Sequence, residues 1–361
     1  MIAPSCVSMV RQPGLSLPAF RPAFPHPLSG NRHRMNAVTP RIAASATAPA
    51  VTGFPVVSAA PRPTRQHTLA APINCVGVAV HSGRRVNLTL HPAPPSHGIA
   101  FRRTDVGRTI LARYDNVVDT RLATVIADPR WASVRVAMIE HLMAAFAAKG
   151  IDNALVEVDG PELPILDGSA EPYLFLLDCA GIQEQAAPRP IIEVRQTVRV
   201  TDGEAFAELR PIQGNAVPPV LELDVSIDFK ARAIGEQSLA MRLTADGFRN
   251  GIASARTFAM AGEIEQLRAA GYAKGGSLDN AIVVDDATVL NPGGLRMPDE
   301  FVRHKIVDAI GDLALAGGAL HGRLVAHRTG HGLNNRLLRA LFADARAWRA
   351  PRQRALDAVA A

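Results

Sequence analysis

Two parts of the chain close in the same way: a run with helical spacing, a Gly turn, then a run with strand spacing. The first ends in KGIDNALVEVD and the second in AGGALHGRLVAH. Ahead of each lie alternating apolar and polar stretches bounded by turn residues. They are VGVAVHSG, RVNLTLHP and GIAFRRTD in the first part, and IIEVRQTVRVTDG, AFAELRP and LELDVSIDF in the second. Alternation with period 2 reads as half-buried strands, and the spacing of RVAMIEHLMAAFAAKG as an amphipathic helix. ELPILDGSAEPYLFLLDCAGI adds a loop and a second helix; SARTF, a helical EIEQLRAAGY and a strand AIVV fall within the second part. The pattern predicts an α+β fold built from a duplicated unit, with insertions in the second copy.

A chain of 361 residues, 48% apolar, is long enough for two ordinary domains and a tail. The expected organisation is a disordered Arg/Pro/Ala-rich extension over residues 1–65, α+β domains over 66–190 and 191–348, and a short tail over 349–361. The extension holds seven Arg and no Lys, Asp or Glu, more than the whole net charge of +6, so the remainder carries −1. Nucleic acid is therefore not an expected partner of the body. The longest clean apolar runs (ALVEV, IIEV, AIVV) are strand-sized, far short of the roughly 20 residues that span a bilayer. Cys6, Cys75 and Cys179 form no C-x-x-C spacing, which points to a reducing, cytoplasmic setting. The acid-free start has some features of an organelle transit peptide but lacks a clear amphipathic Arg helix.

The segment FVRHKIVDAIGDLALAGG, residues 301–318, carries an odd charge pattern. On a helix, Val302, Ile306, Ala309, Ile310 and Leu313 gather as a core stripe, while His304, Asp308 and Asp312 line up on the other side beside Phe301 and Leu315. His304 and Asp308, one turn apart, have Cβ atoms about 5–6 Å apart, close enough to share one cation. Taken alone, the pair better suits an exposed helix that it merely stabilises. Glu140 and His141 stand together in the apolar MIEHLM, about 100° apart around a helix, so that one can bind metal while the other works beside it. Alone, they also fit a buried His with a solvent-facing Glu. His331, flanked by Gly in the loop-like RTGHGLNN, can serve as acid or base, or be a plain loop histidine.

Two His and one carboxylate form the ligand set of several catalytic zinc hydrolases. A spare Glu, His and Asp then suit a base, an acid and a partner that orients the acid. With the segments GVAVHSG (77–83), IEHLMAAFAAKGIDNALVEVDGPELPILDGSAEPY (139–173), SARTF (254–258), GGSLDNAIVVDD (275–286), LRMPDEFVRHKIVDAIGDLAL (295–315) and GHGLNNRLLRAL (330–341), the chain resembles the UDP-3-O-acyl-N-acetylglucosamine deacetylases. These are zinc enzymes that commit bacteria to lipid A synthesis. The resemblance implies two stacked, duplicated α+β domains with helices sandwiched between two sheets. It implies one Zn2+ on His141, His304 and Asp308, with Glu140 as general base. It makes His331, oriented by Asp312, the cation that meets the oxyanion and protonates the amine. Thr257 would donate to the oxyanion and Lys305 would balance charge near the base. Phe258 would pack on the sugar nucleotide, with Arg328 near its diphosphate. An acyl passage would involve Ile264, Gly276, Ser277 and Val283. The implied protein is a monomer hydrolysing a UDP-sugar that carries one acyl chain; a binding homologue that has lost turnover is the alternative. The chain departs from the family pattern at Ala123 in TRLAT, where Ser or Cys is expected, and at Ala137-Met138 in AMIEHL, where STVEHL is usual.

Overall fold

Side chains along Arg85–Pro92 and Ala154–Val158 alternate between buried and less buried, as strands with one face on a core must. The computed structural model describes residues 65–214 and 218–350. In it these strands belong to a five-stranded sheet ordered Ile73–Val78, Arg85–Pro92, Ala154–Val158, Ile99–Arg103, Arg108–Leu111. All its pairings are antiparallel except that of Ile99–Arg103 with Ala154–Val158. The second half repeats the arrangement with Val198–Asp202, Ala205–Arg210, Ala319–His327, Leu221–Asp228 and Glu236–Arg242. Again only the third and fourth strands are parallel. In both copies the middle strand is the last in the chain. Two short strands, Ile191–Val194 and Trp348–Arg349, extend the second sheet to seven.

Among the described residues six α-helices accompany the sheets: α1 (Glu140–Lys149), α2 (Glu171–Ala180), α3 (Ala245–Gly251), α4 (Ala261–Ala269), α5 (Glu300–Ala314) and α6 (His331–Ala343). α1 and α5 precede the middle strand of their copies, and α2 and α6 follow it. Nearly every residue of α1 and most of α5 are buried, and a helix buried all round must be covered on both sides. One core runs from Leu88, Leu90 and Phe101 of the first sheet, through Leu142, Phe146 and Ile310, to Leu223, Val225 and Leu324 of the second. The helices are thus sandwiched between the sheets, as expected. α1 packs along α5, and Gly311 permits the approach: a Cβ there would lie 2.0 Å from the Glu140 carbonyl oxygen.

Three sequence readings are corrected. α1 starts only at Glu140; the β-branched SVRV belongs to the strand Trp131–Val136, and Met138 turns the chain at φ 62°. The first copy has its own insertion, a small sheet of Val117–Asp119, Val125–Asp128 and Trp131–Val136. It answers the insertion of the second copy, whose Phe258–Met260, Ile282–Asp285 and Thr288–Val289 also form a sheet. His331 does not lie in a loop: Leu333, Leu337, Leu338 and Leu341 give the segment a buried helical stripe, and His331 opens α6. The expected extension and tail fall, but for Arg65 and residues 349–350, outside the described residues; Arg65–Leu69 itself pairs with Ile182–Pro188. Among the described residues no helix is long and apolar enough to cross a membrane.

Candidate metal centre

The close crossing of α1 and α5 brings His141 against His304 and Asp308. Their ligand atoms all lie within 4.8 Å of one another, and the three residues are 3, 1 and 3% exposed. That burial removes the exposed-helix alternative for the His–Asp row. His304 Nδ1 lies 3.0 Å from the Ala255 carbonyl oxygen, an acceptor only, so Nδ1 carries the proton and Nε2 presents a lone pair. Burial drives the His304 pKa down to about 4, against the pull of the Asp308 charge, so the ring is neutral. Its Nε2 nevertheless stands 3.3 Å from Asp308 Oδ1, with His141 Nε2 3.6 Å from the same oxygen. Ligand atoms converging on a buried point suit a cation, and two His with one carboxylate are a donor set for a divalent metal. Asp308 Oδ2 accepts from Lys305 Nζ at 2.8 Å. Burial alone would lower the Lys305 pKa, and Asp308 overrides it and holds the amine protonated.

Beside the His–His–Asp cluster Glu140 and His331 stand close together. Burial pushes the Glu140 carboxyl up, while the His331 and His141 charges oppose it. Its Oε1 is 3.8 Å from His331 Nε2. His331 Nδ1 donates to Asp312 Oδ2 at 2.8 Å. Burial would depress this imidazole, but Asp312, by charge and hydrogen bond, and then Glu140 and Asp308, raise its pKa to about 10. A partly buried, protonated His thus faces the buried Glu140 carboxyl group across a short gap.

A family model for UDP-3-O-acyl N-acetylglycosamine deacetylase matches residues 66–343. The chain belongs to this family. It is 47% identical over 288 residues to the UDP-3-O-acyl-N-acetylglucosamine deacetylase of Myxococcus xanthus, covering 79% of this chain and 88% of that protein. It is 46% identical over 287 residues to that of Shewanella violacea (78% and 91%). Against that of Haemophilus influenzae it is 46% identical over 288 residues (79% and 92%).

The other expected residues lie around the His–His–Asp cluster. Thr257 follows the segment that supplies the Ala255 carbonyl, and its N–H donates to the Gly168 carbonyl at 2.8 Å. Gly168, at φ 84°, lets the Asn280 backbone pass close by, since a Cβ there would meet the Asn280 carbonyl oxygen at 2.1 Å. The Phe258 ring stacks edge-on against Phe301 and Phe229, with Lys305 Nζ 5.5 Å from its centroid. Arg328, at φ 52°, pairs with Glu204 at 3.0 Å. It lines an open cleft of about 360 Å³ together with Arg121, Lys305 and His331. Ile264 lies on the half-exposed α4, Val283 is buried in the strand that follows, and Gly276 and Ser277 lie in the connection between them.

Sequence reasoning missed Thr124 and Asn334, which both donate to Asp312. Asn334 is the first Asn of the GHGLNN motif, which is the signal that marks it; Thr124 sits in TRLAT beside Ala123, with no local signal of its own.

Proposed function

We propose that the chain hydrolyses the N-acetyl group of UDP-3-O-(3-hydroxyacyl)-N-acetylglucosamine, releasing acetate and a free amine, with one zinc ion on His141, His304 and Asp308. The observation that carries this reading is the convergence of three buried ligand atoms beside Glu140 and His331, whose side chains stand 3.8 Å apart. The family names of the relatives supply the substrate. When bound, zinc supplies a Lewis acid for the acetamide carbonyl and for water. Glu140 takes the proton of the attacking water, a task that its raised pKa suits. His331, protonated and aimed by Asp312, meets the charge that develops on the carbonyl oxygen and then gives its proton to the leaving amine. Thr257 adds a hydrogen bond to the same oxygen. Lys305 offsets the carboxylates clustered about the site.

The same reading gives Phe258 the sugar face and Arg328 the diphosphate, since a guanidinium suits phosphate oxygens. Ile264, Gly276, Ser277 and Val283 take the acyl chain, where each buried methylene contributes about 0.8 kcal/mol. We read the two sheet units, 66–190 and 191–348, as domains of one monomer working in the cytoplasm. The test is acetate release from the acylated UDP-sugar before chelation, after it, and after zinc is returned. Turnover should vanish with the metal and come back with zinc. Tight substrate binding without acetate release at full metal loading would leave a binding homologue instead.

A further inference from the structure

Thr124 touches two carboxylates that the proposed reaction assigns to different jobs. It is 2% exposed and stands at the start of the strand Val125–Asp128, inside the insertion of the first copy. Its backbone N–H donates to Glu140 Oε2 at 3.1 Å, and its Oγ1 lies 2.5 Å from Asp312 Oδ1. A carboxylate has no proton to give, so the hydroxyl must donate. The other Asp312 oxygen takes Asn334 Nδ2 and His331 Nδ1, each at 2.8 Å. The Asn334 amide is itself oriented, because its Oδ1 accepts from Thr329 Oγ1 at 2.7 Å. Asp312 is therefore held at both oxygens, and through Thr124 its position is tied to that of Glu140. Glu140 is on α1, Asp312 on α5 and Thr124 on neither.

We propose that Thr124 is a positioning residue that fixes the spacing between Glu140 and the Asp312–His331 pair, so that base and acid meet the same substrate. This rests on the functional reading above. It also gives the first-copy insertion a purpose in the reaction, because that small sheet holds Thr124 in place.

Thr124→Val keeps the backbone donor and removes the hydroxyl. Partners of this kind are typically worth about 10–100-fold. At full zinc loading kcat should fall about 10–100-fold with KM within about threefold, and Thr124→Ser should recover most of the loss. With Asp312→Ala already present, Thr124→Val should cost less than about threefold, because the group its hydroxyl meets is gone. The NMR signal of the His331 Nδ1 proton, assigned by its disappearance in His331→Ala, should move in metal-free Thr124→Val and return in Thr124→Ser. An unmoved signal, an unchanged kcat, or an equal loss in the Asp312→Ala background would each overturn the proposal. Should Thr124→Val fold poorly, Thr124→Ala carries the same comparison. Acetate release by the wild type separates a failure of the functional reading from a failure of this inference, and the NMR arm does not depend on turnover.

Discussion

α1 and α5 occupy the same place in the two copies of the repeated unit, each the helix before the middle strand, yet they equip the site differently. α1 contributes two adjacent residues, Glu140 and His141, about 100° apart around the helix. One points to the ligand cluster and the other toward His331. α5 contributes residues four apart, so that His304 and Asp308 converge on one point and Asp312 reaches His331 one turn further on. Adjacent spacing separates roles, and one-turn spacing combines them. The duplication supplies a pair of buried helices; the different spacing of polar residues on each turns that pair into a site.

The largest expected effect comes from breaking the one-turn spacing. His304→Ala or Asp308→Ala leaves two of three ligands, and metal content by elemental analysis should fall together with acetate release to near background. One tightly bound zinc per chain in either variant would contradict the ligand set. A smaller effect follows from the last residue of the α5 row. With Glu140 raised, the rate should fall as pH drops through its pKa; with His331 near 10, it should fall again as pH rises through that value. The profile is bell-shaped, with apparent values that belong to the coupled pair. His331→Ala should keep its zinc, lose about 10²–10⁴ in kcat and lose the basic limb; retention of both limbs at wild-type rate would reduce His331 to a structural residue. The smallest effect concerns the contact between the helices. Gly311→Ala would drive a methyl group into the Glu140 carbonyl. Overpacking typically costs about 1–3 kcal/mol, visible as a lower Tm. An unchanged Tm would mean that the crossing is looser than the geometry indicates.

The duplication was legible because helix, Gly turn and strand recur with distinct periods. The ligand row of α5 was legible because short His and Asp side chains are unusual where a solvated face would carry Lys and Glu. What stayed hidden depended on tertiary contact. No local signal marks Gly311 as the point where another helix's carbonyl passes, or shows that a Thr 16 residues before Glu140 returns to hold its carboxylate. His331 was read as a loop residue because its two flanking glycines mask the Leu stripe that begins just after them. Of the first-copy insertion, only Arg135 and Val136 fall in the helical-looking run, because RVAMI has apolar residues at a spacing that fits either period.

The central claim is that neighbouring residues of α1 divide the work, His141 as ligand and Glu140 as base. It is tested most directly by measuring zinc content and kcat together in Glu140→Gln and His141→Ala. The account predicts that Glu140→Gln keeps one zinc per chain and loses about 10²–10⁴ in kcat, whereas His141→Ala loses both. Loss of zinc from Glu140→Gln, or a full zinc complement in His141→Ala, would contradict it.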